Sequence, residues 1–315
     1  MATDSALLES PPLPPADDLP SPPEFALPAR EVPGVRVGGN PALATFGGKI
    51  YCAFEANDTS RWLYVTERSE FADWASPALA YPGIQLGSAP ALAPFGERLY
   101  CAFRANDPSH WLYLTETSDG VHWTSPARAY SGIQIGSAPA LAEFKGRLYC
   151  AFQANDLRHS LYLTSTADGT NWTTPAREVP GVRIGGAPAL AVYGGRLYCA
   201  FRADDPTHQL YLTSTADGTT WVTPAVPVPD VRIGGEPALA VFHNVLHCAF
   251  RANDPSGKLF VTSTADGSTW RSPAVPYPDL VLGAGPTMAG FGGGLILAFQ
   301  ANGAGRNLAV TAATR

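Results

Sequence analysis

Residues 139–187 read PALAEFKGRLYCAFQANDLRHSLYLTSTADGTNWTTPAREVPGVRIGGA, and residues 188–236 read PALAVYGGRLYCAFRADDPTHQLYLTSTADGTTWVTPAVPVPDVRIGGE. The two stretches align without a gap, and the alignment continues in both directions. Cys52, Cys101, Cys150, Cys199 and Cys248 stand at successive intervals of 49. One further step reaches Leu297 in LILAF, a weakened copy of LYCAF. Pro41, Pro90, Pro139, Pro188, Pro237 and Pro286 keep the same interval. The chain therefore carries six copies of one unit with no insertion, the signature of a repeat architecture.

One copy holds four strands. PALAEF is a short inner strand of small and apolar residues. GRLYCAFQAND alternates Leu148, Cys150 and Phe152 with Tyr149, Ala151 and Gln153. SLYLTST is the third strand. NWTTPAREVP is the fourth, at the blade edge, where proline is tolerated because no inner ladder needs its N–H. ADGT, between strands three and four, is a glycine-containing hairpin turn. Four strands per unit of this length specify a propeller blade. A solenoid would need terminal capping units, and none is present. The expected fold is all-β: a six-bladed β-propeller with four antiparallel strands per blade.

The ends of the chain specify how the ring closes. The sixth copy stops at Arg315, just after its third strand. Residues 24–34, EFALPAREVPG, match NWTTPAREVPG at 171–181, with Phe25 in the place of Trp74, Trp123, Trp172, Trp221 and Trp270. Residues 24–34 are thus expected to supply the fourth strand of the last blade, which removes two exposed sheet edges. Residues 1–23 are proline-rich and acidic and read as a disordered tail, with 24–315 as the propeller.

Composition narrows the function. With 45% hydrophobic residues the chain has ample material for a core. The formal net charge is −6 with no basic cluster, which argues against nucleic acid as a partner. No apolar run approaches the ~20 residues of a membrane span. No secretory signal is visible, so the expectation is a cytoplasmic location, with any release by a non-classical route.

The segment STADGTNW (165–172), with its copies TETSDGVHW, STADGTTW and STADGSTW, resembles the Asp-box of sialidase-type propellers. Copy one departs from it, with Glu70 and Phe71 in place of Asp and Gly. The resemblance implies a propeller over 24–315. It carries no catalytic site, because the Asp-boxes of that family are structural and lie away from the active face. The near-identical blades also resemble lectin propellers, which bind sugars at repeated sites.

An odd count of five cysteines gives no full disulfide framework. Equivalent second-strand positions in neighbouring blades lie about 12 Å apart, beyond the ~7 Å reach of a disulfide. The cysteines are expected to be buried free thiols. His110, His159 and His208 share one repeat position in three different blades, so they cannot converge on one metal. No metal and no cofactor is expected.

The most informative segment joins strands two and three. It reads Asn57–Asp58, Asn106–Asp107, Asn155–Asp156, Asp204–Asp205 and Asn253–Asp254, and decays to Asn302–Gly303 in copy six. Just before it stand Glu55, Arg104, Gln153, Arg202, Arg251 and Gln300. One reading is turn formation, since Asn and Asp bond their own backbone two residues on. The other is a repeated polar pocket. The loop into the next blade emerges on the same face and is expected to carry Arg36, Gln85, Gln134, Arg183 and Arg232, with Val281 in the last copy. Each inter-blade groove would then combine a planar donor, an amide and a carboxylate, groups suited to sugar hydroxyls. Trp62 and Trp111 sit beside the first two loops, placed either to stack on a sugar or to pack at an edge. The candidate ligand-binding set is Asn57, Asp58, Trp62, Gln85, Arg104, Asn106, Asp107, Trp111, Gln134, Gln153, Asn155, Asp156, Arg183, Arg202, Asp204, Asp205, Arg232, Arg251, Asn253 and Asp254.

The function expected first is a non-enzymatic multivalent lectin for glycans or glycoconjugates, including those of cell surfaces. The alternatives are a protein-binding scaffold and a sialidase-like glycoside hydrolase. The hydrolase needs one asymmetric site, which the resemblance equates with an arginine triad, a Tyr–Glu pair and an acid Asp. Here Arg104, Arg202 and Arg251 are one position on three blades, and no non-repeated Tyr–Glu pair stands out.

Overall fold

The computed structural model describes residues 21–314, so residues 1–20 of the expected tail lie outside the described residues. Among the described residues there are twenty-four strands, in six four-stranded antiparallel sheets, and no helix. Blade one is β2 (Ala42–Phe46), β3 (Lys49–Glu55), β4 (Trp62–Ser69) and β5 (Leu79–Gln85). Blade three is β10 (Ala140–Phe144), β11 (Arg147–Gln153), β12 (Ser160–Thr166) and β13 (Arg177–Arg183). Blades two, four and five repeat this order, and the inner strands of adjacent blades pack against one another around the axis.

Blade six is β22 (Thr287–Phe291), β23 (Gly294–Gln300) and β24 (Asn307–Ala313), completed by β1 (Arg30–Arg36). The closing strand pairs Arg30 with Val310 and Glu31 with Ala309, and Phe25 makes a separate bridge to Ala313. Tyr277 Oη donates to Pro23 O at 2.6 Å, as Tyr81 Oη donates to Val121 O at 2.9 Å between blades one and two. The incoming N-terminal segment thus takes up the bond that a complete sixth turn would make.

The position of the fourth strand corrects the sequence reading. The regular strand is REVPGVR (Arg177–Arg183), not NWTTPAREVP, and in the closing blade it is Arg30–Arg36 rather than 24–34. Trp172 keeps only an isolated bridge to Thr166, and the chain turns through the cis Thr174–Pro175 bond before the ladder begins. Arg36, Gln85, Gln134, Arg183 and Arg232 therefore end fourth strands instead of lying in the connector to the next blade.

The second strand is buried on both faces, because each blade is covered by a neighbour on either side. Leu148, Cys150 and Phe152 pack toward blade two with Leu112 and Ile133, while Tyr149 and Ala151 pack toward blade four with Leu197 and Cys199. All five cysteines are free and fully buried, and burial pushes their thiols far above the ordinary range.

The turns between strands three and four lie on the face opposite the Asn–Asp loops. Asp168 Oδ1 accepts from Thr166 Oγ1, Thr170 N and Asn171 N at 2.7–2.9 Å. The same set recurs at Asp119, Asp217 and Asp266; these bonds hold the carboxyls of Asp168 and Asp217 well below the usual range, and at Asp119 the His122 ring does so first, with the same backbone set. Gly169 sits at φ +76, and a Cβ there would overlap the Tyr100 hydroxyl of the preceding blade. The turn needs glycine for its backbone and for its neighbour's ring.

Candidate functional site

Each Asn–Asp loop is first a turn. Asp58 Oδ1 accepts from Ser60 N at 2.8 Å and from Ser60 Oγ at 2.5 Å. Asp107, Asp205 and Asp254 accept in the same way from Ser109, Thr207 and Ser256, and Asp156 accepts from Arg158 N and His159 N. The hydroxyl and amide of the residue two places on hold the Asp58, Asp107, Asp205 and Asp254 carboxyls below their ordinary range. These bonds all use Oδ1. The second oxygen of Asp58, Asp107, Asp156, Asp205 and Asp254 has no hydrogen-bond partner among the described residues.

In blades two to six the residues that end the second strands brace the backbone, whereas Glu55 in blade one accepts from Arg61 Nε. Gln153 Nε2 donates to Ile184 O at 2.5 Å, and Arg251 Nε donates to Leu282 O at 3.1 Å. Arg104 reaches both Gly87 O, at 2.6 Å, and Gly136 O, at 3.2 Å. Arg202 donates to Gly185 O. The carbonyls belong to the connectors between blades, which have few other partners, so much of each planar group is committed within the fold.

Three inter-blade clefts have matching walls. The first is lined by Gly34, Val35 and Arg36 of blade six and by Phe54, Ala56, Asn57, Asp58, Tyr64, Pro77 and Ala78 of blade one, with a volume of about 250 Å³. The second has Ile84 and Gln85 facing Phe103, Asn106, Asp107 and Tyr113, at about 270 Å³. The third has Val231 and Arg232 facing Phe250, Asn253, Asp254 and Phe260, at about 310 Å³. In each cleft paired rings lie behind the polar loop: Phe54 and Tyr64 have centroids 5.9 Å apart, and Phe250 and Phe260 6.0 Å. Gln134 with Asn155 and Asp156, and Arg183 with Asp204 and Asp205, occupy the same repeat positions at the two seams around blade three.

The strand-four residues are not free arms. Gln85 Nε2 and Gln134 Nε2 donate to Ser60 O and Ser109 O of their own blades, at 3.3 and 3.1 Å. Cross-strand pairing sets Gln85 opposite Trp62 and Gln134 opposite Trp111, so each glutamine shares a blade face with its tryptophan. Both tryptophans are half-buried at the start of strand three and do not line the clefts named above.

The sequence reading marked His110, His159 and His208 at the position just before strand three, but not their reach to the neighbouring blade. Arg61, His110, His159, His208 and Arg306 all lie at left-handed φ, between 47 and 53, and Gly257 takes their place in blade five. From this conformation the side chain crosses to the next blade. His159 Nδ1 lies 3.0 Å from Asp204 Oδ2, His208 Nδ1 lies 3.1 Å from Asn253 Oδ1, and Arg61 Nη1 donates to Asn106 Oδ1 at 3.3 Å. The recurrence of a long polar side chain was visible in the sequence, and the left-handed backbone that aims it at the next blade was not.

At the axis, the mouth is ringed by the repeated prolines and small residues. Asn40 Nδ2 donates to Glu236 Oε2 at 3.0 Å, and Glu236 is the one carboxylate on this lining. No cluster of three or more potential metal ligands occurs among the described residues.

No protein-family model matches the chain, and no curated protein sequence does. Solved structures match in fold. A protein of unknown function from Dyadobacter fermentans superposes with a TM-score of 0.65 at 14% identity, covering 91% of this chain and 99% of that one. A triple arginine-to-alanine mutant of AofleA from Arthrobotrys oligospora gives 0.63 at 12% identity, with 85% and 81% covered. Trypanosoma rangeli sialidase, as its covalent intermediate with 2,3-difluorosialic acid, gives 0.65 at 13% identity, with 92% of this chain covered. The chain spans 59% of the sialidase. The sialidase-type propeller that the Asp-box suggested is thus matched in fold.

Proposed function

We propose that this chain is a non-catalytic, multivalent carbohydrate-binding protein whose sites are the inter-blade grooves beside the Asn–Asp loops. The observation that carries this reading is the repetition of one cleft, with an aromatic pair, an amide and a carboxylate at fixed positions in the three seams described. The unengaged Asp oxygen accepts from vicinal hydroxyls, and the apolar wall of Val35, Phe54 and Tyr64, or its equivalents, takes the less polar side of the ring. Several weak sites on one rigid ring bind an array of glycans by avidity. At the seam between blades five and six the key positions are Val281, which ends the fourth strand of blade five, and Gly303 of blade six, so up to five sites are competent.

Glycoside hydrolysis needs two carboxyl groups roughly 5–10 Å apart in one pocket. The axial mouth offers Glu236, already engaged by Asn40. The test is a screen of the purified protein on immobilised glycans, run beside an assay for release of reducing sugar from the same glycans. Retention on a defined sugar family with no release supports the proposal. Turnover of a bound glycan, or no retention on any, contradicts it.

A further inference from the structure

Neighbouring blades meet at two repeat positions on the turn face. They carry Tyr51 and Tyr81, Tyr100 and Tyr130, Tyr149 and Val179, Tyr198 and Val228, and His247 and Tyr277 at the first five seams. At the seam between blades six and one they carry Ile296 and Val32, so this seam alone has a ring at neither. The turn it faces has also changed. Arg68 stands where Thr117, Thr166, Thr215 and Thr264 stand elsewhere, and Phe71, 96% exposed, replaces the turn glycine. The space left is a cavity of about 680 Å³, within the range of ligand pockets, walled by Leu27, Val32, Trp74, Ile296 and Val310.

Arg68 is the one cation set into this apolar wall. Its guanidinium carbon lies 5.9 Å from the Trp74 ring centroid and 5.8 Å from that of Phe291. Its Nε is shut off from solvent and has no hydrogen-bond partner among the described residues. The half-buried Arg68 also lines the cavity, where its positive charge favours an entering anion. Arg30 and Asp73, both nearly fully exposed, lie at the rim 4.0 Å apart and offset one another.

We infer that the seam between blades six and one holds a single pocket for an amphipathic carboxylate, an anion with a flat apolar body. The carboxylate pairs with Arg68, and the body fills the space that tyrosine rings occupy at other seams. The pocket opens on the turn face, opposite the Asn–Asp loops, so it is independent of the repeated grooves.

Calorimetric titration of the full chain with 2-naphthoate tests this, with neutral 2-naphthamide as the control. The expected result is one site per chain, with the amide at least tenfold weaker. Arg68→Thr, which installs the residue of the other copies, is expected to weaken naphthoate at least tenfold. Ile296→Tyr leaves Arg68 in place and is expected to block the cavity, and unfolding curves show whether either variant still folds. Glycan retention by both variants should equal that of the parent chain, which separates failure here from failure of the proposed function. No naphthoate binding at millimolar concentration, several equivalent sites, equal affinity for the amide, or unchanged affinity in folded Arg68→Thr would each overturn the inference.

Discussion

The seam between blades two and three and the seam between blades six and one follow the same plan and end differently. Both bury a second-strand face against the neighbouring blade, with Cys150 and Phe152 in one and Cys52 and Phe54 in the other. At the turn face the first seam is filled, with Tyr100 set against Gly169 and Tyr130 Oη donating to Thr170 O at 3.1 Å. The second seam joins the two ends of the chain and is open there. Most of the repeat's residues serve the contact between blades, so a copy that gives up a contact residue leaves a vacancy in a defined place. The ring tolerates this at its closing seam because the closing strand still supplies the ladder and the buried residues Val32 and Val35.

The largest expected effect comes from removing the closing strand. Deletion of residues 1–34 should abolish the single cooperative urea transition, while deletion of 1–20 should leave its midpoint nearly unchanged. Full stability in the longer deletion would break the comparison, because the closing seam would then not depend on β1. The next effect separates the two turns. Gly169→Ala forces a side chain into a left-handed backbone and into the Tyr100 hydroxyl, and should cost roughly 2–4 kcal/mol. Phe71→Gly, which restores the repeat's residue at an exposed position, should change stability by under ~1 kcal/mol. Equal effects at both turns would mean that the contact with the preceding tyrosine does not matter.

A third expectation concerns His247, which stands at the tyrosine position of blade five and is buried. Desolvation first, then the charges of His243 and Arg271, lowers its pKa to about 4. The unfolded chain, with an ordinary value near 6.5, takes up the proton more readily. Stability from this group is present above about pH 6.5 and is lost as pH falls toward 4, by roughly 2–3 kcal/mol. Urea melts across that window should show the loss, and His247→Tyr should flatten it; an unchanged slope in the variant would place the loss elsewhere. The smallest effect is an absence of reaction. Ellman's reagent should find close to zero reactive thiols in the native ring and about five after denaturation. Fast reaction of any native thiol would mean that one seam opens.

The blade number, the ring closure and the buried cysteines were all legible in the sequence, because six gapless copies leave little freedom in how strands are counted. The fourth strand was read too early. Trp172 and Thr173 look like strand residues, yet the backbone turns at Pro175 and the ladder to β12 starts at Arg177. The meeting of the Asn–Asp loops with residues such as Arg36, Gln85 and Arg232 was legible in the sequence, and these do line common clefts. Individual roles were less legible. Arg104 and Gln153 read as ligand donors, but sequence does not reveal that connector carbonyls such as Gly87 O and Ile184 O need partners. The reach of His159 to Asp204 depends on a left-handed backbone at a non-glycine residue, which composition does not announce.

The most direct test of the account is the stoichiometry of sugar binding. Calorimetry with a monovalent sugar chosen from the glycan screen should return more than one equivalent site per chain and no more than five. Asp107→Asn keeps a side-chain oxygen for the turn and removes the second carboxylate oxygen, so it should weaken one of those sites by about tenfold and leave the others unchanged. A stoichiometry of one, unaffected by Asp107→Asn and by the matching Asp254→Asn, would contradict the account and move the binding site to the axial mouth.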